Sequence, residues 1–382
     1  MLKKFLMAPG PTPVPEKVLL EMAKPIIHHR TDEFSKTFAE AAEGLKKVFN
    51  TKKEVLMLAG SGTAAMEAAI VNTLNPGDKV LVINAGKFGQ RWRDISKVYG
   101  MEVVTLDMDW GLSVKPEQVE SYLTANPDTR AVMIQGSETS TTAYHPIKEI
   151  GQIIKTKADT IFIVDGITSI GVHETLMDEW GIDIAVTGSQ KAFMLPPGLA
   201  FIALSDKAWS FCEKAKIPRY YLDLRRELKS QLQATTAYTP TVTLINGLKV
   251  VLDMMFEEGL ENVYKRHQVN GDATRAAVQA LGFKLLAECP SNAATGFYLP
   301  EGFEGGKFEK FMRERVGITY AGGQDHLKGK ILRISHLGYH DAFDTITAVS
   351  GIEMGLAKFG VDIKLGAGVT AAQEILKNYI GE

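Results

Sequence analysis

Cysteine is scarce: Cys212 and Cys289 are the only two in 382 residues. They cannot build a disulfide framework, and neither has a histidine nearby at zinc-ligand spacing, so both read as reduced structural thiols. A dominant charge is missing too. Forty-three lysines and arginines face 45 aspartates and glutamates, a formal net charge of −2. No broad field exists to gather nucleic acid or anionic lipid, and any cation that matters acts locally. No apolar run approaches the length of a membrane span, and prolines break the opening MLKKFLMAPGPTPVP before a signal-peptide core can form. A cytoplasmic protein is expected. Internal repeats, low-complexity tracts and the polar bias of disordered chains are likewise lacking. With 45% hydrophobic and 23% charged residues, the composition is that of an ordered globular protein.

The length suggests one large domain and one smaller one. Pro9, Pro11, Pro13 and Pro15 forbid helix over residues 1–15 and favour an extended arm lying over the rest. Apolar residues at helical spacing predict helices at 16–22 and 31–49, followed by a strand at 54–58. Strand-like runs VLVIN (80–84), EVVTLDM (102–108), AVMIQG (131–136), TIFIVD (160–165), IDIAVTGS (182–189) and GLAFIALS (198–205) then alternate with helical patterns. This is the signature of an α/β fold with a mainly parallel sheet covered by helices, and with sites at the carboxyl ends of strands. After residue 207 the alternation stops. Long helical patterns run through 242–258 and 261–281, and a mixed α+β region follows with strand candidates at 283–288, 295–300 and 331–335. The expected division is an arm (1–15), a large domain (16–258) and a smaller α+β C-terminal domain (259–382).

The richest window is 161–198. One strand ends at Asp165, and the next ends just before Gln190 and Lys191. A lysine at the end of a buried strand cannot easily reach water and needs a reason to be there. Imine formation is such a reason, because a desolvated lysine near other cations loses basicity and can attack an aldehyde. A strand-end carboxylate beside it can pair with a protonated pyridine nitrogen, as pyridoxal chemistry requires. Taken singly, a strand-end aspartate is more often a cap and a lysine more often solvated, so the weight lies on the pair.

AGSGTAAMEAA (59–69) runs from a strand through a glycine turn into a helix, where free amides, the Thr63 hydroxyl and the helix dipole can cradle a phosphate. The lysine of a P-loop and the third glycine of a dinucleotide fingerprint are both absent there. Phe88 follows a strand and can stack on a planar cofactor or simply fill the core. Thr139 can hydrogen-bond a cofactor oxygen or close a turn. Arg333, amid the apolar residues of ILRIS, suggests a buried anion partner, either a substrate carboxylate or a structural acid.

With these segments in order (PGPTPVP, SGTAAMEAA, GKFGQRW, GSETSTT, VDGITSIG, TGSQKAFMLPPG and LRISHLG), nearly the whole chain resembles the class V aminotransferases of fold type I. The alanine–glyoxylate and serine–pyruvate group is the nearest resemblance. It implies a seven-stranded-type sheet and pyridoxal 5'-phosphate as cofactor. Lys191 would form the imine and shuttle the proton, and Asp165 would pair with the ring nitrogen. Phe88 would stack in place of the family's frequent tryptophan. Gly62, Thr63 and Gln190 would hold the phosphate, and Thr139 would meet the ring oxygen or Asp165. The loop TTAYTPT, with Thr239, would reach the phosphate from the neighbouring subunit, which makes the protein a homodimer with shared sites. Arg333 would clamp the substrate carboxylate, with Gly10 of the arm close by.

The implied reaction is ping-pong transfer of an amino group from alanine or serine to a 2-oxo acid such as glyoxylate or pyruvate. Two alternatives stay open. The donor could be phosphoserine, with His28, His29 and Arg30 as the second basic site for its phosphate as the phosphoserine branch of the family implies, or it could be aspartate or an aminophosphonate; or the fold could persist without catalysis. A cysteine desulfurase reading needs a mobile catalytic cysteine, for which neither Cys212 nor Cys289 is placed.

Overall fold

The computed structural model describes residues 2–381, so Met1 and Glu382, at the outer ends of the expected arm and C-terminal domain, lie outside the described residues. The main sheet comprises β1 (Val55–Gly60), β2 (Lys79–Asn84), β3 (Glu102–Asp107), β4 (Ala131–Gln135), β5 (Ile161–Asp165), β6 (Ile184–Gly188) and β7 (Gly198–Leu204). The seven stand in the order β1-β7-β6-β5-β4-β2-β3. All neighbouring pairs are parallel except those of β7, which runs antiparallel to both β1 and β6. Every residue of β4, β5 and β6 is buried, as strands covered on both faces must be.

Alternate residues feed two cores. Leu81, Ile83, Phe162 and Val164 pack with Phe34, Phe38 and Leu45 of α1 (Asp32–Phe49). Val80, Val82, Ile161 and Ile163 pack with Met66 and Ile70 of α2 (Gly62–Thr73) and Trp92 of α3 (Lys87–Val98). The period of two along each strand is what lets both layers close at once. Helix α1 begins where the Thr31 side chain accepts the Phe34 N–H at 3.3 Å, and it ends where Asn50 turns left-handed at φ 49°.

Beyond α4 (Val242–Glu258), Gly259 at φ +85° breaks the chain before α5 (Leu260–Ala280). A three-stranded antiparallel sheet follows, β8 (Ala294–Tyr298), β9 (Ala321–Gly322) and β10 (Ile331–Ser335), ordered β8-β10-β9. It packs through Phe297, Leu332 and Ile334 on Phe308, Met312 and Ile352. Two expected strands appear there and the third does not. Residues 283–288 make only an isolated bridge, Leu285 to Phe297, before turning so that the Glu288 N–H donates to the Gly111 carbonyl at 2.9 Å. The third strand is instead the two-residue β9.

The N-terminal arm is extended. Phe5–Leu6 pair in parallel with Ile318–Thr319, the Ser335 N–H donates to the Met7 carbonyl at 2.8 Å, and the Thr12 N–H then reaches the Gln190 carbonyl at 3.2 Å. Among the described residues, no helix is long and apolar enough to cross a membrane.

Two helices, α6 (Ala342–Lys358) and α7 (Ala367–Leu376), close the chain against α5. Their junction depends on Glu353. Its buried carboxylate accepts the amides of Gly366 and Gly368, both at 2.7 Å, and of Val369 at 3.0 Å, supplying the cap that Gly366 itself cannot. Glu353→Ala is expected to cost about 2 kcal/mol, because three backbone donors at the start of α7 lose a charged, buried acceptor. A lowered urea midpoint, with the melting of α7 seen in hydrogen exchange, is the measurement; an unchanged midpoint contradicts it.

Candidate active site

The carboxyl ends of β1, β2, β4, β5 and β6 all open at one edge of the sheet, and the chemistry-bearing residues gather there. Asp165 is the last residue of β5, and Lys191 lies three residues past β6. The turn that carries the lysine is held at every step. The Ser189 N–H donates to Leu199 O at 2.9 Å, the Ser189 hydroxyl donates to Pro196 O at 2.8 Å, and the Thr12 hydroxyl donates to the Lys191 carbonyl at 3.0 Å. A lysine so placed cannot swing out to water.

Lys191 is 8% exposed, and its ammonium donates to the Pro9 carbonyl of the arm. Gly10, at φ +122°, passes so close that a β-carbon there would overlap the lysine's own chain end. Burial pulls the Lys191 pKa down to about 8, the charges of Arg333 and Arg91 act the same way, and Asp165 opposes them. Asp165 is 4% exposed, and its Oδ1 accepts the Ile167 N–H at 2.9 Å. Burial pushes its pKa up to about 7 against that hydrogen bond; Glu138 adds to the rise, while Arg91 and Lys191 oppose it. Each group thus feels the other across one buried space.

Arg333 comes from β10 and enters the same space. Its Nε and Nη2 donate to Gly322 O at 3.1 and 2.7 Å, and its Nη1 donates to Thr139 O at 2.7 Å. No carboxylate lies within 4.0 Å of it among the described residues, although it is buried. A guanidinium carries five N–H donors and three are engaged here, so two are open to an anion. The Thr139 hydroxyl pairs with that of Thr168 at 2.9 Å, and the Thr168 hydroxyl also reaches Ser137 O at 2.9 Å.

On the other side lies the start of α2. Ser61 makes no side-chain cap, leaving the first amides, Gly62 and Thr63, uncapped. A β-carbon on Gly188 would meet both Gln190 Oε1 and the Gly62 nitrogen, so these two atoms face one another across a small gap. Gln190 Oε1 is buried without a hydrogen-bond partner. Free amides at a helix N-terminus are donors suited to a phosphate, and the Gln190 side chain would join them through its NH2 group, with Oε1 turned away. Phe88 is half-buried at the start of α3, and the Arg91 guanidinium lies 4.8 Å from its ring centroid while donating to Thr63 Oγ1 at 3.1 Å.

The fold therefore brings Gly10, Gly62, Thr63, Phe88, Thr139, Asp165, Gln190, Lys191 and Arg333 to one edge. Thr239 is not among them. It is exposed, beside Tyr238 and Pro240 in a loop that faces Ala59 and Tyr221, and it bonds to no other site residue of its own chain. Arg30 is exposed on the same loop surface, its Nη1 donating to Thr235 Oγ1 at 2.7 Å.

Sequence reasoning missed Glu138, Arg91 and the Pro9 carbonyl. One of them had a signal: Arg91 is three residues after Phe88 on one helix, the spacing that sets a guanidinium over a ring.

Residues 4–348 match the family model described as aminotransferase class-V. The chain is 39% identical over 373 residues to the L-aspartate–glyoxylate aminotransferase of Paracoccus denitrificans, covering 96% of this chain and 94% of that one. It is 44% identical over 379 residues to a protein called the small subunit of the soluble hydrogenase in a Synechococcus species, covering 98% of each. Among solved structures, the ureidoglycine–glyoxylate aminotransferase of Bacillus subtilis matches with a TM-score of 0.92 at 29% identity over 99% of both chains. Sequence and architecture agree over almost the whole length: the chain belongs to the class V aminotransferases, a family of pyridoxal-phosphate enzymes of fold type I, and lies close to their glyoxylate-type group.

Proposed function

We propose that the protein is a pyridoxal-phosphate-dependent aminotransferase that moves an amino group from alanine or serine to a 2-oxo acid such as glyoxylate or pyruvate. The observation that carries this reading is the buried Lys191 amine sharing one space with the Asp165 carboxylate and the open fork of Arg333. The residues fit the cofactor. The Gly62 and Thr63 amides with Gln190 would hold its phosphate, Asp165 its ring nitrogen, Phe88 its ring face and Thr139 its ring oxygen. When bound, it supplies an aldehyde for the lysine and an electron sink for the substrate's α-carbon.

The chain's own groups do the rest. Lys191, with its lowered basicity, would take the proton from the donor's α-carbon in the first half-reaction and deliver one to the acceptor's α-carbon in the second, a role that needs a pKa near the working pH. Arg333 orients the substrate carboxylate with two parallel N–H bonds. The Pro9–Gly10 stretch of the arm excludes water above the lysine. A homodimer would supply Thr239 from a second copy, which its exposure on its own chain supports. One arginine fork accounts for one carboxylate, so small monocarboxylic donors need no further cation.

A second reading is an aspartate or phosphoserine donor. It rests on Arg30, exposed beside the Thr239 loop, and aspartate is the version that the Paracoccus relative's name favours. A fold kept without catalysis, an idea prompted by the relative named as a hydrogenase subunit, sits poorly with a chain that keeps both Lys191 and Asp165 buried and mutually interacting.

Mixing the yellow cofactor-loaded protein with single amino acids tests the choice. Alanine or serine should bleach it to the pyridoxamine form. Bleaching by aspartate or phosphoserine alone would transfer the reading to the second donor class, and no bleaching by any donor would sink it. Lys191→Ala should stay folded, judged by melting, yet show no steady turnover.

Arg333→Lys keeps the charge and loses the fork, so KM for both substrates should rise by about tenfold to a hundredfold, the equivalent of one charged hydrogen bond; unchanged KM values would refute the clamp.

The raised pKa of Asp165 gives a stability test in the cofactor-free protein. The folded state binds this proton more tightly than the unfolded state, so the group's contribution is fully present below about pH 4 and declines as pH rises to about 7. Asp165→Asn removes that decline. Its stability relative to the original protein, followed by urea unfolding, should therefore grow between these pH values, and a constant difference would contradict the assignment.

A further inference from the structure

A carboxylate removed from water must be protonated, ion-paired or surrounded by donors. Glu138 is 0% exposed, and no lysine, arginine or histidine nitrogen lies within 4.0 Å of it among the described residues. Donors surround it instead. Its Oε2 accepts the amides of Phe88 at 3.0 Å and Gly89 at 3.1 Å, and its Oε1 accepts the Ser140 amide at 3.0 Å and the Ser140 hydroxyl at 2.6 Å. The Ser140 oxygen in turn accepts the Lys87 amide at 3.0 Å. The first three amides of α3 are thus received by residues of another segment. The helix has no cap of its own, because Gly86 stands at the capping position, and a β-carbon there would run into the Glu138 carboxyl group and the Ser140 hydroxyl.

The location gives this cap a further consequence. On one side it holds the backbone of Phe88. On the other it is joined directly to Thr139, whose carbonyl receives Arg333 and whose hydroxyl pairs with Thr168. An ordinary cap from a serine or aspartate at the helix's own capping position would leave the two segments untied. Arg333 also lacks a carboxylate in contact, and Glu138 and Glu309 are the acids whose charges reach it.

We propose that Glu138 is a positioning residue for the amino transfer: capping α3 from the neighbouring loop, it fixes the Phe88 ring relative to Thr139 and Arg333. This rests on the proposed function.

Glu138→Gln keeps the size but turns an NH2 group toward one set of donors. In the cofactor-free protein, the amides of residues 87–89 should exchange at least about tenfold faster, while those of β4 and β5 do not change. In the cofactor-loaded protein, the visible circular dichroism of the bound cofactor should fall while its absorbance shows full occupancy. The kcat for both half-reactions should drop by about tenfold to a hundredfold, as expected when reacting groups shift by a fraction of an ångström or more.

Faster exchange with unchanged dichroism and kcat would make the cap merely structural and overturn the proposal, as would unchanged exchange. If Glu138→Gln fails to fold, Ser140→Ala removes only the shared hydroxyl and should give the same signature more weakly; wild-type behaviour in that variant overturns the proposal as well. Failure of the original protein to take up the cofactor would instead refute the functional reading on which the proposal stands, while the exchange data still report whether the cap exists.

Discussion

An amine held out of water is the constraint around which this molecule is arranged. Lys191 can remain buried only if its surroundings replace the hydration that it loses: its ammonium donates to the Pro9 carbonyl of the arm, and the Asp165 charge favours it through space. The same burial that costs stability lowers the lysine's basicity, and a second cation, Arg333, adds to the effect. Reactivity and desolvation are therefore one property here. The apolar strands β4, β5 and β6 matter to function because they keep this edge of the sheet dry.

The parts of this arrangement legible in the sequence are those written locally. Long apolar runs alternating with helical periods determine the sheet, and Thr31 and Asn50 mark the ends of α1 by their own chemistry. Asp165 and Lys191 stand out because a charged residue at the end of a buried strand conflicts with its neighbours. Arg333 stands out for the same reason, in ILRIS. The antiparallel direction of β7 was not legible, because its composition is that of any buried strand and only the chain's path to it sets its direction.

What stayed hidden depends on pairing between distant segments. Residues 283–288 carry strand-like composition, but a strand needs a partner along its length, and this segment turns toward Gly111 after one bridge. The two residues of β9 carry no pattern at all. Glu138 looks like an ordinary surface glutamate until the fold brings α3 over it, and the orphaned oxygen of Gln190 is visible only once Gly62 stands opposite. Thr239 entered by resemblance, since it is exposed and bonds to no other site residue of its own chain.

The arm has a consequence for the order of events during synthesis. Phe5 and Leu6 are made long before Ile318–Thr319, the strand they pair with, and Met7 is held by Ser335, which is later still. Until that late stretch has left the ribosome, the arm has nothing to dock on, and the loop to be closed spans most of the chain. The sheet and the lysine can therefore be in place before both Arg333 and the roof above them, which leaves the lysine's edge of the sheet open to water until the C-terminal strands arrive.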